Sequence, residues 1–452
     1  MRVLLIAYDN GDYIHRFPMG LGYIARVLDT MGIDIEIWQQ DIHHYPDESL
    51  DVSGYDVVGI GVVGGYYQYR KLLSLSRYIK KPLFIIGGHG PSPEPEFFLK
   101  KTGADICVIG EGEETIRELF ERIGKKQSFS DVRGIAYRIG DDVYANPRRD
   151  PITDVDAIEM PLYERFPMEH YRLFRRPRSK NTDFSCTVLS GRGCPFRCNF
   201  CYRMDEGFRP RSADSIIDEV LYLQSEYGIT RIGFDDELLM SSVKRTEELC
   251  RAFQKHFHGI EWDCNGRLNY AKPDLLKLMK ESGCVFINYG IECYDNQILK
   301  NMNKKLTTKQ IKAGIEATLD AGISPGFNMI FGNIGENEKT LKKSTNFLLK
   351  YDDGAQRRTI RPVTPYPGCD LYYKAIEDGL LEDVEDFYEN KHLNSDLVAV
   401  NFTELSDDQF HDALLQSNTR LLKNYYNKQK SRVLEQTRHL YKEKDTSFRG
   451  FR

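Results

Sequence analysis

Three cysteines, Cys194, Cys198 and Cys201, stand in the run GRGCPFRCNFCYR, separated by three and then two residues on a glycine-bearing loop that follows an apolar, strand-like segment. A loop this tight aims three thiolates at one small inorganic core. Four-iron clusters ordinarily take four cysteines, so three leave one iron with an open position for a substrate or cofactor. The competing readings are a structural zinc site and three unrelated thiols. Structural zinc wants four protein ligands, and no histidine or further cysteine follows nearby; Cys186 precedes the run but falls within the apparent strand. Cys107, Cys284 and Cys293 lie in apolar runs, where a thiol is a small buried hydrophobe.

The bulk properties narrow what such a site works on. A chain of 452 residues is too long for one ordinary core and implies two or three domains. A net charge of −5 supplies no global attraction to nucleic acid or an anionic membrane, so a long polyanion is not the expected substrate. The opening MRVLLIAYDNGDY reads as a buried strand, and no stretch approaches the roughly 20 apolar residues of a membrane span. Ten cysteines spread along the chain without an export signal read as reduced thiols. The expectation is a cytoplasmic protein.

The elements that must position the cysteines come in two blocks. Residues 1–125 alternate short apolar runs (VLLIAY, IDIEIW, DVVGIGVV, LFIIGG, ADICVIG) with helical patterns, which predicts a doubly wound parallel sheet. Glycines follow the strand ends: Gly61, Gly64 and Gly65, then Gly87, Gly88 and Gly90, then Gly110 and Gly112. In such sheets ligands sit beyond the carboxyl ends of the strands, where glycine admits close backbone approach, although any one of these glycines is equally at home simply ending a strand. Residues 126–182 read as a linker that wraps, with a hairpin at GIAYRIGDDVYANP and a basic run, RLFRRPRSK, expected to be a solvated loop. Residues 183–370 return to strand and helix alternation with about six units, short of the eight of a closed barrel, so a partial barrel is predicted. Residues 371–452 read as a helical region ending in a basic amphipathic segment and a free tail at FRGFR.

GRGCPFRCNFCYR resembles the signature of the radical SAM superfamily, in which an aromatic residue, here Phe200, precedes the third cysteine. The resemblance implies that Cys194, Cys198 and Cys201 hold a [4Fe-4S] cluster whose open iron chelates S-adenosyl-L-methionine (SAM). One electron then cleaves SAM to a 5′-deoxyadenosyl radical that abstracts a substrate hydrogen. It extends through FRPRSADSIIDEV, FDDEL, YGIE and RPVTPYPG. By carry-over Glu292 binds the SAM ribose, while Asp236, Glu237 and Arg267 are candidates for its amino group and carboxylate, with Phe200 also at the SAM site. Many relatives carry glycine-glycine-glutamate after the second strand, where this chain has Asp235, Asp236 and Glu237.

The first block, through FPMGLGYIARVLDTMGIDIEIW, DVVGIGVVGGYYQY, IIGGHGPSPEPEFFL and ADICVIGEGEETI, is similar to the cobalamin-binding domain ahead of one large radical SAM subgroup. That likeness implies corrin contacts at Gly64, Gly65, Gly87, Gly88, Gly90, Gly110, Glu111 and Gly112. The DxHxxG sequence that supplies a cobalt ligand elsewhere is missing; His15 is the one nearby imidazole available for that role, against the plainer reading of a loop histidine, and His89 is expected to support its own turn. Tyr66, Tyr67, Tyr69 and Tyr366 are either pocket or packing aromatics. The implied activity is a cobalamin-dependent radical C-methyltransferase acting on a small molecule or peptide and fed by a flavodoxin- or ferredoxin-type donor. Cyclisation, rearrangement or oxidation with the same cofactors, a non-catalytic cobalamin-binding regulator and tRNA modification are the alternatives, the last without a basic RNA-binding appendage.

Overall fold

Fifteen strands in three sheets organise the computed structural model, which describes residues 1–11 and 14–445; the tail expected at FRGFR lies outside them. The first sheet holds β1 (Arg2–Ala7), β2 (Asp34–Gln39), β3 (Val57–Gly61), β4 (Leu83–Gly87), β5 (Ile106–Val108), β6 (Ile135–Ile139) and β7 (Asp142–Ala145) in the order β2-β1-β3-β4-β5-β6-β7. It is parallel from β2 to β5, and β1 to β5 read as continuous apolar runs because helices cover both faces. Helices Met19–Thr30 and Glu113–Gly124 pack on one face, Tyr66–Ser76 and Pro95–Thr102 on the other. The reversal of strand order between β1 and β3 makes a switch point, where such sheets open a crevice beyond their carboxyl ends. The predicted hairpin forms β6 and β7 and pairs antiparallel to β5, so this sheet runs past residue 125 to 145.

A small antiparallel hairpin, β9 (Gly191–Cys194) with β10 (Gly207–Pro210), follows β8 (Ser185–Val188). The third sheet is β8, β11 (Arg231–Phe234), β12 (Glu261–Gly266), β13 (Cys284–Glu292), β14 (Ser324–Phe331) and β15 (Arg361–Pro362), all parallel and adjacent in chain order. Six strands curled without closing give the partial barrel expected from the pattern. Its helices start where the sequence supplies caps: the Ser212 and Ser242 hydroxyls accept from Ser215 and Arg245 amides, and Thr307 with Gln310 and Asn337 with Thr340 make reciprocal boxes.

Two findings depart from the sequence expectation. The run RLFRRPRSK is not simply solvated, because Arg176 is 8% exposed and enters the concave face of the third sheet, where Asp235 and Asp263 bind it. A buried guanidinium between two aspartates is stable only fully paired, and neither aspartate is near it in sequence. The helical carboxyl-terminal region also divides between the two sheets, which the sequence pattern does not foretell. Leu371, Tyr372, Phe387 and Tyr388 pack on the outer face of the first sheet with Tyr69 and Phe98, and only Asp407–Lys442 lies along the barrel, against the helix Glu338–Tyr351.

Candidate functional site

Cys194 ends β9, and the connection to β10 carries Cys198 and Cys201. Gly193 (φ +81°) faces Gly207 so closely that any Cβ would strike the Gly207 carbonyl, so glycine there is what permits the hairpin. The loop is fastened along its length. Phe196 lies 3.5 Å from the Arg267 guanidinium, the Arg197 carbonyl accepts from the Asn303 side chain at 2.6 Å, and the Asn199 and Asn333 amides bond each other at 3.0 and 3.2 Å. Asn199 also donates its backbone N–H to the Met302 carbonyl at 3.1 Å and accepts from Leu371 at 2.9 Å. This preorganisation is what a cluster loop requires.

The thiols fit a cluster better than a zinc ion. Among the described residues, the one trio of potential ligands whose donor atoms all lie within 4.8 Å of one another is Asp9, His15 and His44, not the cysteines. Sulfurs on one zinc would sit within roughly 4 Å of each other, given Zn–S bonds near 2.3 Å. Burial raises the Cys194 thiol, against the Phe196 amide, and pushes Cys201 up to about 11 with Cys198 and Cys194 adding to it. Thiols that raise one another's pKa suit a cationic core that deprotonates them on binding.

Beside the loop, the expected SAM residues split into two groups. Glu292, at the end of β13, has φ +65° and is 7% exposed; Lys304 donates to its Oε1 at 2.8 Å, leaving its other oxygen able to accept from a ribose hydroxyl. The same Lys304 sits 5.6 Å from the Phe200 ring, and its carbonyl accepts from Arg267, whose pKa burial lowers. Arg267, Glu292, Lys304 and Phe200 thus form one cluster against the cysteine loop. Asp236 is elsewhere engaged: Ser190 donates its amide at 2.9 Å and its hydroxyl at 2.7 Å, and burial raises the carboxyl to about 6. Asp236 therefore ties the end of β11 to the chain leaving β8, and Glu237 is the acidic side chain of the pair left exposed. Asn265 donates to the Asp236 carbonyl at 2.9 Å and Asn288 to Asn265 at 3.0 Å, a polar ladder across the concave sheet.

Between the first domain and the barrel lies a cavity of about 980 Å³, at the top of the roughly 300–1,000 Å³ range of small-molecule sites. Cys194, Asp236 and Glu237 line one wall, and Gly61, Gly87, Gly88, Gly110 and Gly112 line the other. The cavity continues under the sheet to Leu5, Val57, Leu28 and Phe120, a slot that suits an elongated tail below a broad head. Its geometry fits a corrin with its nucleotide arm. Gly88 (φ +101°) and Gly90 have no room for a Cβ beside the Val62 and Val63 carbonyls. Gly64, Gly65 and Gly90 are not on the wall: Gly64 backs on Tyr366 and Tyr388, and Gly65 precedes the helix Tyr66–Ser76. Glu111 is on the wall, but Arg192 (3.0 Å) and Arg209 (2.8 Å) occupy its carboxylate and pull its pKa down against burial. These arginines flank the cysteine loop, so Glu111 joins the domains.

His15 is on the cavity wall and only 7% exposed, with Nε2 3.4 Å from Asp9 Oδ1; Asp9 also pairs with His44 at 2.8 Å. His89 faces the cavity, edge-on to Tyr202, and enclosure lowers its pKa. The aromatics are packing residues: Tyr69 is buried against Phe97, Phe98 and Tyr388, Tyr66 and Tyr366 meet His392 edge-on, and Tyr67 covers Gly11. Sequence reasoning missed Arg192, Arg209, Arg176 and Asp263. The arginines two residues before Cys194 and within FRPR were visible, but the carboxylates of the first domain that they bind, Glu113 and Glu111, lie 79 to 98 residues away.

Residues 188–348 match the radical SAM superfamily and residues 14–120 the B12 binding domain. An uncharacterized methyltransferase of Pyrococcus horikoshii is 27% identical over 84% of this chain and 84% of its own. The cytidylyl-2-hydroxyethylphosphonate methyltransferase of Streptomyces wedmorensis is 26% identical over 82% of this chain and 80% of its own. The fold superimposes on TsrM from Kitasatospora setae, a radical S-adenosylmethionine methyltransferase solved with cobalamin and a [4Fe-4S] cluster, with a TM-score of 0.71 at 16% identity over 93% of this chain and 88% of that one. Among the described residues no helix is long and apolar enough to cross a membrane.

Proposed function

Because the chain belongs to the radical SAM enzymes that carry a B12-binding domain, we propose that it reductively cleaves SAM and methylates an unactivated carbon of a small molecule or peptide, with a [4Fe-4S] cluster and cobalamin as cofactors. The observation that carries this reading is that Cys194 shares one cavity with the strand-end glycines Gly88 and Gly110. When bound, the cluster supplies the electron that breaks the sulfur to 5′-carbon bond of SAM, and the corrin carries the methyl group.

The protein's own residues orient and exclude. Cys194, Cys198 and Cys201 hold the cluster with one iron left open. Glu292 accepts from the ribose hydroxyls while Lys304 holds its carboxylate in place. Glu237, exposed at the cavity wall, is placed for the SAM amino group. The largely apolar cavity between the domains limits water near a radical that would otherwise take hydrogen from the nearest donor. An external low-potential donor of the flavodoxin or ferredoxin type delivers the electron. The names of the Pyrococcus and Streptomyces relatives favour methylation over cyclisation or oxidation with the same cofactors.

The test is anaerobic reconstitution with iron, sulfide and cobalamin, followed by SAM carrying a deuterated methyl group and a low-potential reductant. 5′-Deoxyadenosine should form, with label moving to the corrin and then to an added acceptor. Deoxyadenosine without label transfer would leave a radical SAM enzyme of another outcome. An intact cluster with no cleavage would point to a regulator and defeat the proposal.

A further inference from the structure

Two arginines enter the concave face of the third sheet from outside its strands, and the protein treats them differently. Arg176 meets Asp263 through Nε at 2.9 and 3.0 Å and Asp235 through Nη2 at 2.6 Å, so its charge is paired with carboxylates in direct contact. Gly233 on β11 gives up a side chain where this guanidinium crosses. Arg358, just before β15, also crosses a glycine: a Cβ on Gly326 of β14 would stand 2.7 Å from its Nη2. Here the partners are neutral. Nη1 donates to Asn328 Oδ1 at 2.9 Å and Nη2 to Asn288 Oδ1 at 2.7 Å, Nε is buried without a hydrogen-bond partner, and the one carboxylate among the described residues that acts on the guanidinium, Asp352, does so through space and not by a hydrogen bond.

Amide oxygens satisfy N–H groups without cancelling charge, and a cation withdrawn from water without a carboxylate in contact is costly. Burial accordingly lowers the Arg358 pKa to about 10, against the opposing pull of the Asp352 charge. Asn288 is held in turn by its bond to Asn265, so Arg358 rests on a ladder that fixes its plane. Asn328 is exposed, so the sheet is open at this point. A planar guanidinium held by oriented amides, with Nη1 at the exposed Asn328, is arranged to take an oxyanion on that side.

We propose that Arg358, with Asn328, binds an anionic group of the substrate, a carboxylate or a phosphoryl oxygen, on the floor of the half-barrel. Asn288 lies four residues before Glu292 on β13, about 13 Å below the strand end at 3.3 Å per residue. Assigning the anion to the substrate rests on the radical SAM reading, in which the amino-acid end of SAM is at the open iron beside the cysteine loop and so cannot also reach the floor. The substrate then carries its negative charge remote from the carbon that reacts.

Calorimetric titration of the reconstituted full chain with inorganic phosphate, methylphosphonate and acetate, and separately with SAM, tests this. Wild type should bind phosphate and methylphosphonate, or acetate, at one site, the stronger arm identifying the anion. R358Q should lose at least tenfold in that affinity and R358K less. N328D keeps the arginine and supplies an internal carboxylate, so it should abolish anion binding even if R358Q folds poorly. The exposed-helix variant K442Q should match wild type. The proposal is overturned if wild type binds none of the three anions, if N328D binds them as wild type does, or if SAM is the ligand whose affinity falls in the variants. Absence of SAM cleavage in wild type would defeat the radical reading while leaving anion binding measurable.

Discussion

Lys304 Nζ lies 2.8 Å from Glu292 Oε1, with both side chains buried and Glu292 held at φ +65°. A non-glycine residue in the left-handed region costs about 1–3 kcal/mol and persists only where its surroundings over-determine it. Lys304 is that determinant, since it pairs with Glu292 and offers its carbonyl to Arg267, which stacks on the cysteine loop. K304M strands a buried carboxylate and should destabilise by about 3–5 kcal/mol, read as a fall in Tm. E292Q keeps an acceptor for Lys304 but loses the charge; it should retain cluster iron and bind SAM about tenfold more weakly, about 1.4 kcal/mol. Equal SAM affinity in E292Q and wild type would remove Glu292 from the SAM site.

Substitution of the loop cysteines separates ligands from buried thiols. C194A, C198A and C201A should each lose the visible absorption band and most of the iron of the reconstituted protein. C107A and C293A alter thiols that are fully buried, Cys107 in the first sheet and Cys293 just beyond β13, and should keep both signals while losing some stability. Iron content that falls equally in all five would show that the loop has no special claim on the metal.

The Glu111 pairs make the two-domain arrangement sensitive to acid. Arg209 and Arg192 hold the Glu111 carboxyl below its ordinary range, so folding releases a proton near the unfolded value of about 4.3. The stabilisation is complete above that pH and is lost as pH falls through the lower folded value. Wild type should loosen between the domains below about pH 4, seen as an increased radius of gyration or faster proteolysis of the 126–182 segment. E111Q should show the looser state at pH 7 and little further acid response from this contact.

Much of this was legible because local signals carry it. The alternation of apolar runs and helical stretches gave both sheets, and spacing alone isolated Cys194, Cys198 and Cys201. What stayed hidden was long-range charge pairing. Nothing local marks Arg176 as an inward-facing residue rather than part of a solvated basic run, because its partners Asp235 and Asp263 are 59 and 87 residues away. The same holds for Glu111, whose place at a glycine-rich strand end suggested a ligand contact while its arginines come from the other domain. Gly64 and Gly65 lie off the cavity wall; a strand-end glycine satisfies the same local pattern whether it borders a cavity, an aromatic ring or the start of a helix.

Asp41 gives a pH response of the opposite sign. It lies on the cavity wall, 4% exposed, with the Tyr171 hydroxyl donating to Oδ2 at 2.9 Å and Oδ1 without a partner. Burial raises its carboxyl from 3.8 to about 7, against the pull of the Tyr171 bond. The unfolded chain ionises this group near pH 4 while the folded chain keeps the proton until about 7, so the folded state binds more protons in between and stability falls as pH rises through that window. At 1.36 kcal/mol per unit the full swing is about 4 kcal/mol at most. D41N has no proton to lose and still offers an oxygen to Tyr171. Its Tm should lie near wild type at pH 5 and clearly above it at pH 8. A difference between variant and wild type that stays constant from pH 5 to 8 would mean that Asp41 is not the protonated group on this wall.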